Sequence, residues 1–391
     1  MSERVIVVGS GFSGSILARK IAEECQRDVL VVERRPHIGG NMFDSRDNNG
    51  VLVQRYGPHI LNTNAYRVIE FLGQYSELFP FDCHLLSYID GKYMQLPFNF
   101  TTVRQFVGPK RAAQLYRKFR EQFRGRDRVP ILELLDNEES DIRDYGNLLF
   151  EKAYRTYTSK MWGIPPELID RSVLDRVPMA MGYDTRYLNK DFQYLPKDGF
   201  TSLFHSMLDH PRISIELETD ATDRISFNDD QVLWDKKNTE CLIYTGCIDE
   251  LFGYRLGLLP YRSLRFTYRH FDNPNPLPCE IISYPQADGY IRTTDYRELM
   301  KEHASVTGTT TVTEWPVAHD PESPDAESRI PYYPVLTSDS KELYTQYRKI
   351  ADNYRNLYLC GRLAEFRYYN MDVCIEHALS YFGTIKHELM E

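Results

Sequence analysis

Residues 5–33 read VIVVGSGFSGSILARKIAEECQRDVLVVE, and this stretch decides the fold. The β-branched run Val5–Val8 is followed at once by Gly9–Gly14, which has the spacing G-x-G-x-x-G. The next residues have the apolar periodicity of a helix, predicted over 15–24. A second apolar run, Val29–Val32, ends in Glu33. Strand, glycine turn, helix, strand and acid in this order are typical of a dinucleotide-binding βαβ unit.

Each glycine of the turn has its own expected role in binding a cofactor. Gly9 permits the tight turn, Gly11 lets the backbone approach a pyrophosphate, and Gly14 lets the helix pack close to the strand. The N-terminus of the helix offers N–H groups and a positive dipole to phosphates. Glu33 lies 22 residues after Gly11, where a carboxylate that binds a ribose is expected.

The residues after Glu33 favour FAD over NAD. A simple NAD domain enters a helix soon after its second strand, whereas here Arg34 and Arg35 lead to the pair Gly39-Gly40. Two glycines let the main chain pass tightly beside a bulky ligand. This pattern resembles flavoproteins of the glutathione-reductase and amine-oxidase kind. Near the C-terminus an apolar strand, predicted over 357–362, precedes a closing helix, so both chain ends are expected to build one cofactor domain.

Composition limits the class of protein. The chain has 391 residues, 42% of them hydrophobic, which is enough for two or three packed units. No run of eighteen apolar residues predicts a membrane span, and the first residues lead straight into a strand, which predicts no signal peptide.

A net charge of −9 makes nucleic acid a poor partner, and an anionic substrate would need local arginines. Seven cysteines without a C-x-x-C pair argue against disulfides and zinc and indicate a reducing cytoplasm.

The middle of the chain alternates between helical and strand patterns. We predict a helix over 65–75, a hairpin over 85–96 that turns at Asp90-Gly91, and mostly helix over 103–163. Residues 241–246 are predicted to return a strand to the nucleotide domain. Residues 261–268, 281–284 and 309–314 alternate as strands of an antiparallel sheet.

Nearly the whole chain resembles the bacterial UDP-galactopyranose mutases. The segments that carry the resemblance are Gly9–Gly14, Arg35–Gly40, Tyr56–Thr63, Tyr157–Gly163, Arg176–Tyr187, Tyr244–Asp249, Tyr261–Phe266, Ile330–Pro334 and Gly361–Asp372. The resemblance implies an α/β fold with a Rossmann-like FAD-binding domain, an inserted helical bundle and an antiparallel β-sheet domain. The corresponding ranges are 1–80, 196–250 and 336–391 for the FAD domain; 100–180 for the helices with a mobile loop; and 81–99, 181–195 and 251–335 for the sheet.

The resemblance also implies the chemistry. Family members interconvert the pyranose and furanose forms of a nucleotide-linked sugar in the cytoplasm, usually as homodimers. Their FAD must be reduced by an electron donor such as NAD(P)H. N5 of the reduced flavin attacks the anomeric carbon, the nucleotide diphosphate leaves and later returns, and no net redox change occurs. The protein then has only to hold the diphosphate and orient the sugar, which explains the lack of a catalytic triad or metal motif.

The resemblance assigns site residues by position. Arg176 and Arg292 match two arginines on the diphosphate, and His59 matches a residue beside the flavin. The implied substrate-binding residues are Tyr157, Thr158, Trp162, Tyr183, Tyr187, Tyr333, Tyr368, Asn370 and Asn62. The implied cofactor-binding residues are Gly9, Gly11, Phe12, Ser13, Gly14, Glu33, Arg34, Arg35, Gly39, Gly40, Asn41, His59, Ile60, Gly361, Arg362, Met371 and Asp372.

Four positions depart from the usual family pattern, around the base and the sugar. Asn62 replaces a histidine, Asn370 an aspartate, Ala153 an aromatic residue near the base, and Ser283-Tyr284 an asparagine-tyrosine pair. UDP-galactopyranose is therefore the leading substrate and a dTDP-6-deoxysugar such as dTDP-fucopyranose the second, since alanine would leave room for the methyl of thymine. Two other classes stay open: an FAD amine oxidase or desaturase, which needs no arginines for a diphosphate, and a non-catalytic nucleotide-binding module.

Overall fold

The computed structural model describes residues 4–174, 177–187, 190–273, 276–301 and 306–390. The strands are β1 (Val5–Val8), β2 (Val29–Val32), β3 (Asp44–Arg46), β4 (Leu52–Gln54), β5 (Leu61–Thr63), β6 (Leu78–Pro80), β7 (Leu85–Ile89), β8 (Lys92–Leu96), β9 (Arg128–Val129), β10 (Met179–Ala180), β11 (Phe192–Pro196), β12 (Ile213–Glu216), β13 (Ile225–Asn228), β14 (Gln231–Trp234), β15 (Lys237–Asn238), β16 (Cys241–Tyr244), β17 (Tyr261–Phe271), β18 (Ile281–Ser283), β19 (Arg292–Asp295), β20 (Thr309–Ala318), β21 (Tyr333–Pro334) and β22 (Leu357–Leu359). The helices are α1 (Phe12–Lys20), α2 (Tyr66–Leu72), α3 (Phe100–Gln122), α4 (Ile131–Leu135), α5 (Ser140–Leu149), α6 (Arg155–Trp162), α7 (Arg171–Leu174), α8 (Gly199–Leu208), α9 (Ile248–Leu251), α10 (Tyr296–Leu299), α11 (Ser338–Ala351) and α12 (Met371–Met390).

A five-stranded parallel sheet in the order β12-β2-β1-β16-β22 forms the nucleotide domain. Its central strands are short and rich in valine, leucine and isoleucine because both faces of a parallel sheet are buried. The predicted βαβ unit and the returning strand at Cys241 are thereby confirmed. Helix α1 begins at Phe12, three residues before the predicted start, because the glycine turn ends at Gly11.

Two glycines of the turn are required by close packing. Gly9 has a φ of +95°, and a Cβ there would lie 2.1 Å from the hydroxyl oxygen of Thr245. A Cβ on Gly14 would lie 1.9 Å from the carbonyl oxygen of Gly9. Helix α1 can therefore pack against the turn only with glycine at position 14, as the sequence predicted.

A second sheet of seven strands, in the order β21-β17-β20-β19-β18-β7-β8, carries the other half of the candidate site. The predicted hairpin is β7–β8, which turns at Asp90-Gly91. We predicted an antiparallel sheet. This prediction is wrong for one pair of strands, because β18 pairs with β7 in parallel. The register places Arg292 opposite both Ser283 and Glu314.

Helices α3 to α6 form the predicted helical region. Helix α3 is kinked at Gly108, which is followed by Pro109. Helix α5 continues through the π-helical turn Phe150–Tyr154 into α6, so residues 140–162 form one helical stretch inside the region predicted as mostly helix. Strand β11 hydrogen-bonds to β5 and β6 and so links two of the three predicted units, whose residue boundaries stay a prediction. No described helix is long and apolar enough to cross a bilayer.

Candidate active site

A cleft of about 240 Å³ opens at the carboxyl ends of β1, β2 and β16. Most of the predicted cofactor-binding residues line it: Gly9, Gly11, Phe12, Ser13, Glu33, Arg34, Arg35, Gly39, Gly40, Asn41, His59, Gly361, Arg362 and Met371. Three others do not. Gly14 lies against Gly9, Ile60 packs on the main apolar core, and the buried carboxylate of Asp372 lies 3.8 Å from Nζ of Lys190. The cleft lies where ligands bind in doubly wound α/β sheets.

The floor of the cleft is shaped for a diphosphate. A Cβ on Gly40 would lie 3.1 Å from Cα of Gly11, so two bare stretches of backbone meet here. Helix α1 starts at this point, and no side chain in the described part of the chain caps its N-terminus. Nη1 of Arg35 is buried and has no hydrogen-bond partner among the described residues. Uncapped N–H groups and an unsatisfied guanidinium are donors that a pyrophosphate would satisfy.

Glu33 is held at the end of β2. Its side chain accepts hydrogen bonds from the Ser10 N–H at 3.0 Å, from the Ser10 hydroxyl at 2.7 Å and from the Arg35 N–H at 3.1 Å. These bonds fix the carboxylate at the mouth of the glycine turn. That position suits the predicted contact with a ribose, which stays a prediction.

Part of the cleft wall was missed by the sequence analysis. Arg34, which we assigned to the cofactor, pairs with Glu250 at 2.9 Å and Asp220 at 3.4 Å. Apart from these partners of Arg34, the lining residues that we did not predict include Thr219, Ala221, Thr222, Thr245, Gly246, Cys247, Pro331 and Tyr332. The apolar run that ends at Gly246 was the available signal, because it pointed to a strand that ends beside the cofactor.

Arg292 is bound by a carboxylate that the sequence analysis did not single out. Its Nε and Nη2 each donate to an oxygen of Glu314 at 2.6 Å. The side chain of Glu314 is only 1% exposed. Burial opposes the charged form of Arg292, but Glu314 outweighs it and raises the pKa of Arg292. The pair orients the guanidinium and leaves Nη1 without a hydrogen bond to the described residues.

Three aromatic side chains form a wall beside Arg292. The rings of Tyr333 and Tyr368 stack with centroids 5.4 Å apart, and the Trp162 ring lies 5.5 Å from Tyr368 and 6.2 Å from Tyr333. The guanidinium of Arg362 lies 5.3 Å from the Tyr333 ring centroid and 5.6 Å from that of Tyr368. Because Arg362 also lines the cleft, this wall continues the cofactor site.

Tyr157 and Thr158 join the same region from α6. Thr158 is buried, and Tyr157 has Arg292, Tyr187 and Tyr333 as ionisable neighbours. Burial raises the pKa of Tyr157, so its hydroxyl stays a neutral donor. The structure therefore brings the predicted tyrosines at positions 157, 187, 333 and 368 into one cluster next to Arg292.

Lys160 fastens this region to the strand that bears Arg292. Its ammonium donates to the carbonyl oxygens of Tyr284 at 2.7 Å, Ala287 at 2.7 Å and Tyr290 at 2.8 Å. Burial lowers the pKa of Lys160 to about 8. These three bonds hold the 284–290 turn, which leads directly into β19, against helix α6.

Other predicted substrate-binding residues are not brought to this wall. Tyr183 is 61% exposed, and its ring packs on Phe100 and Tyr116. The Asn62 amide donates to the carbonyl oxygen of Ile60 at 2.9 Å, and Asn370 is exposed before α12. Arg176 lies outside the described residues.

His59 lines the cleft and lies near Arg362 and Arg292. Its Nδ1 is buried and has no hydrogen-bond partner among the described residues. Burial, followed by the charges of Arg362 and Arg292, lowers the pKa of His59 to about 3. The imidazole is therefore neutral at working pH. Its Nδ1 can form a hydrogen bond with a ligand while the ring carries no charge.

We expect His59 to make the protein sensitive to mild acid. The pKa of a histidine in the unfolded chain is near 6.5, whereas the pKa of His59 in the folded chain is about 3. Between these two pH values the unfolded state therefore binds a proton that the folded state does not bind. Stability should therefore fall as the pH falls, by about 2 kcal/mol between pH 7 and pH 5. Urea unfolding at both pH values should show a smaller loss for His59→Gln than for the wild type. Equal losses would contradict the buried neutral state.

Known proteins match the chain along most of its length. The family model described as UDP-galactopyranose mutase matches residues 152–368, and that of an NAD(P)-binding Rossmann-like domain matches residues 7–75. The UDP-galactopyranose mutase of Mycoplasma pneumoniae is 32% identical over 379 residues, or 96% of this chain and 94% of the relative. The dTDP-fucopyranose mutase of Escherichia coli is 32% identical over 384 residues, or 96% of each chain.

The fold has a match among solved structures. A crystal structure of reduced UDP-galactopyranose mutase superposes with a TM-score of 0.72 at 14% identity and covers 100% of this chain and 95% of that one. At this identity the match shows the fold alone, which is the α/β architecture that the sequence predicted.

Proposed function

Since the chain belongs to the UDP-galactopyranose mutase family, whose members are isomerases, we propose that it interconverts the pyranose and furanose forms of a nucleotide-diphosphate sugar. The observation that carries the proposal is the continuous site formed by the cofactor cleft, the Arg292–Glu314 pair and the tyrosine wall. The substrate of an amine oxidase carries no diphosphate, so an enzyme of that class does not need an arginine at position 292. A binding module has no need to bring these tyrosines to the cofactor.

FAD is the cofactor that we propose for the cleft. The Gly11–Gly40 contact and the free Nη1 of Arg35 fit its pyrophosphate, and Glu33 fits its ribose. When bound in the reduced form, the flavin supplies a nucleophilic N5 for the anomeric carbon. His59 and Arg362, which line the same cleft, would lie beside the flavin.

The residues of the chain itself bind, orient and shield the substrate. Arg292 offers a fixed positive charge to the diphosphate, and this charge matters most when the diphosphate departs and its negative charge grows. The hydroxyls of Tyr333 and Tyr368 offer hydrogen bonds to the diphosphate or the sugar. Trp162 closes the wall and excludes water, so that a sugar with an opened ring stays oriented.

UDP-galactopyranose is the first proposed substrate and dTDP-fucopyranose the second, since both kinds of mutase occur among the relatives. The structure does not show the room that the sequence analysis expected at Ala153, because this side chain is 4% exposed and lies in the main apolar core. This packing favours the substrate without the extra methyl group.

One assay tests the function and separates the two substrates. Protein reduced with dithionite is incubated with a panel of UDP- and dTDP-sugars, and the products are separated by chromatography. We expect a furanose product from UDP-galactopyranose. If dTDP-fucopyranose alone is converted, it is the substrate instead of UDP-galactopyranose. If no sugar of the panel gives a product, the proposed function is wrong.

We expect activity to need reduced flavin without consuming the reductant, because the reaction has no net redox change. Product formation and NAD(P)H oxidation should be followed in the same sample under anaerobic conditions. Many turnovers for each reductant oxidised are expected. Oxidation of one NAD(P)H with each product would instead indicate an oxidoreductase.

Three statements about the cellular state of the enzyme belong to the same proposal. They rest on the family resemblance: a homodimer, a cytoplasmic location and an electron donor such as NAD(P)H. Size-exclusion chromatography with light scattering tests the first. Reduction rates with purified donors test the third.

A further inference from the structure

Three side chains that can ligate a metal converge behind the cofactor cleft. Cys360 follows β22, Glu365 lies in the next turn, and His377 lies on α12. The thiol sulfur, a carboxylate oxygen and a ring nitrogen of these residues all lie within 4.8 Å of one another. Cys360 is fully buried, and Glu365 and His377 are partly buried. A partly buried set of one thiol, one carboxylate and one imidazole differs from the exposed acidic clusters that are common on protein surfaces.

The side chains of Glu365 and His377 lie close together but do not form a hydrogen bond. Nε2 of His377 lies 2.9 Å from Oε2 of Glu365, yet this nitrogen is buried and has no hydrogen-bond partner among the described residues. The same oxygen of Glu365 accepts the N–H of Gly361 at 2.7 Å, so its position is fixed by the backbone. The two atoms therefore lie side by side without a hydrogen bond between them, and a shared cation would satisfy both.

We propose that Cys360, Glu365 and His377 bind a zinc ion. Thiolate, imidazole and carboxylate are the ligands that Zn²⁺ takes in proteins, at about 2.0–2.3 Å in a tetrahedral arrangement. These bond lengths place the ligand atoms roughly 3.3–3.7 Å apart. Side-chain rotation must therefore bring the most widely separated pair about 1 Å closer and lengthen the Nε2–Oε2 distance of 2.9 Å slightly. A water molecule fills the fourth position.

The charges of the proposed site balance. When the metal binds, the sulfur of Cys360 forms a bond to zinc and its proton leaves to the solvent. The thiolate and the Glu365 carboxylate then neutralise the two charges of Zn²⁺, and His377 binds as the neutral imidazole. A site without net charge suits a buried position, because an isolated charge is costly to bury.

Zinc at this place would fasten the wall of the cofactor cleft. Glu365 holds the N–H of Gly361, and a Cβ on Gly361 would lie 2.7 Å from the Ser13 hydroxyl, so strand β22 and helix α1 meet here. Helix α12 contributes His377 from the other side. The site differs from the sequence expectation, because the spacing Cys-x4-Glu-x11-His belongs to no common zinc motif.

Metal analysis tests the proposal without any assay of turnover. The full chain, expressed with added zinc and purified with its cofactor, is expected to hold about one zinc per chain by mass spectrometry of the metal. Cys360→Ala and His377→Gln should each lose most of this zinc. Cys25→Ala, another buried cysteine, and His387→Gln, on the same helix, are the matched controls and should keep it.

Cobalt shows whether the sulfur is a ligand. Protein stripped with a chelator and reloaded with Co²⁺ should show a thiolate-to-cobalt absorption band that is absent in Cys360→Ala. Added Zn²⁺ should raise the melting temperature of the stripped wild type but not of His377→Gln, whose partly exposed side chain leaves the fold intact. A wild type that holds no zinc and does not respond to added metal would overturn the proposal. Retention of zinc by both variants would do so as well.

Discussion

Arg292→Ala is expected to lower kcat/KM by at least ten- to a hundredfold, roughly, and to lower the free energy of unfolding by about 3–5 kcal/mol. The kinetic loss follows because a hydrogen bond to a charged group contributes roughly 1.5–3 kcal/mol, and each factor of ten in rate corresponds to about 1.4 kcal/mol. The loss of stability follows because Glu314, 1% exposed, would remain buried without its partner. Steady-state kinetics and urea unfolding measure the two losses separately.

Glu314→Gln is the matched control for this variant. It keeps the shape of the carboxylate and the positive charge of Arg292, but it loses the bidentate ion pair. We expect an intermediate loss of kcat/KM, because Arg292 is present but less firmly oriented. Arg292→Lys should also recover activity only in part, since lysine supplies the charge without the planar fork. Turnover at the wild-type level in Arg292→Ala would place the diphosphate elsewhere.

Arg176 is the other arginine that the family resemblance assigns to the diphosphate, and it lies outside the described residues. We expect Arg176→Ala to lose kcat/KM by a comparable factor, again roughly ten- to a hundredfold. Flavin content should stay normal, because the residue is not assigned to FAD. Tryptophan fluorescence should also lose part of its response to substrate, since Trp162 lies in the aromatic wall. An unchanged response together with wild-type kinetics would remove Arg176 from the proposed site.

Gly11→Val is expected to give nearly colourless protein, with less than about a tenth of the wild-type flavin, a change of at least 1.4 kcal/mol in binding. The fold itself accepts the new side chain. Gly11 has a φ of −72° and a ψ of −173°, which any residue can adopt. Among the described residues, a Cβ there would meet only the Cα of Gly40, at 4.0 Å. The valine would instead occupy the space through which the pyrophosphate approaches the backbone.

The ratio of flavin absorbance to protein absorbance measures this loss, and circular dichroism confirms the fold. Gly383→Val is the control, because a Cβ on Gly383 meets nothing within 4 Å, and its flavin content should equal that of the wild type. Gly14→Ala should instead disturb the fold, since its Cβ would lie 1.9 Å from the carbonyl oxygen of Gly9. Full flavin in folded Gly11→Val would contradict the placement of the cofactor.

The nucleotide domain could be predicted because its determinants are local in sequence. A run of valines, a glycine spacing and an acid at the end of the next strand act through steric limits on neighbouring residues. The predicted residues of the cofactor cleft, apart from His59, follow from that unit, from the glycine pair after it and from the closing strand and helix. The hairpin at Asp90-Gly91 is local in the same way, because its two residues set the turn.

The sheet that carries Arg292 was predicted less completely. Alternation indicated strands over 281–284 and 309–314, but alternation alone does not state which strand lies beside which. The parallel pair of β7 and β18 joins segments almost two hundred residues apart, so only the tertiary structure decides it. The same long-range pairing places Glu314 opposite Arg292, and no feature near Glu314 in the sequence announces this partner.

The βαβ unit, the cleft at the ends of its strands and fourteen of the residues that line this cleft could be predicted from the sequence alone. These features depend on backbone geometry and on neighbours within one supersecondary unit. Only the packed structure shows that Glu314 binds Arg292, that Nδ1 of His59 is buried near two guanidiniums, and that the side chains of Cys360, Glu365 and His377 meet. The first two features depend on burial and on charges from distant segments, and the third depends on the packing of helix α12 beside the turn after β22. All three arise only when the chain packs.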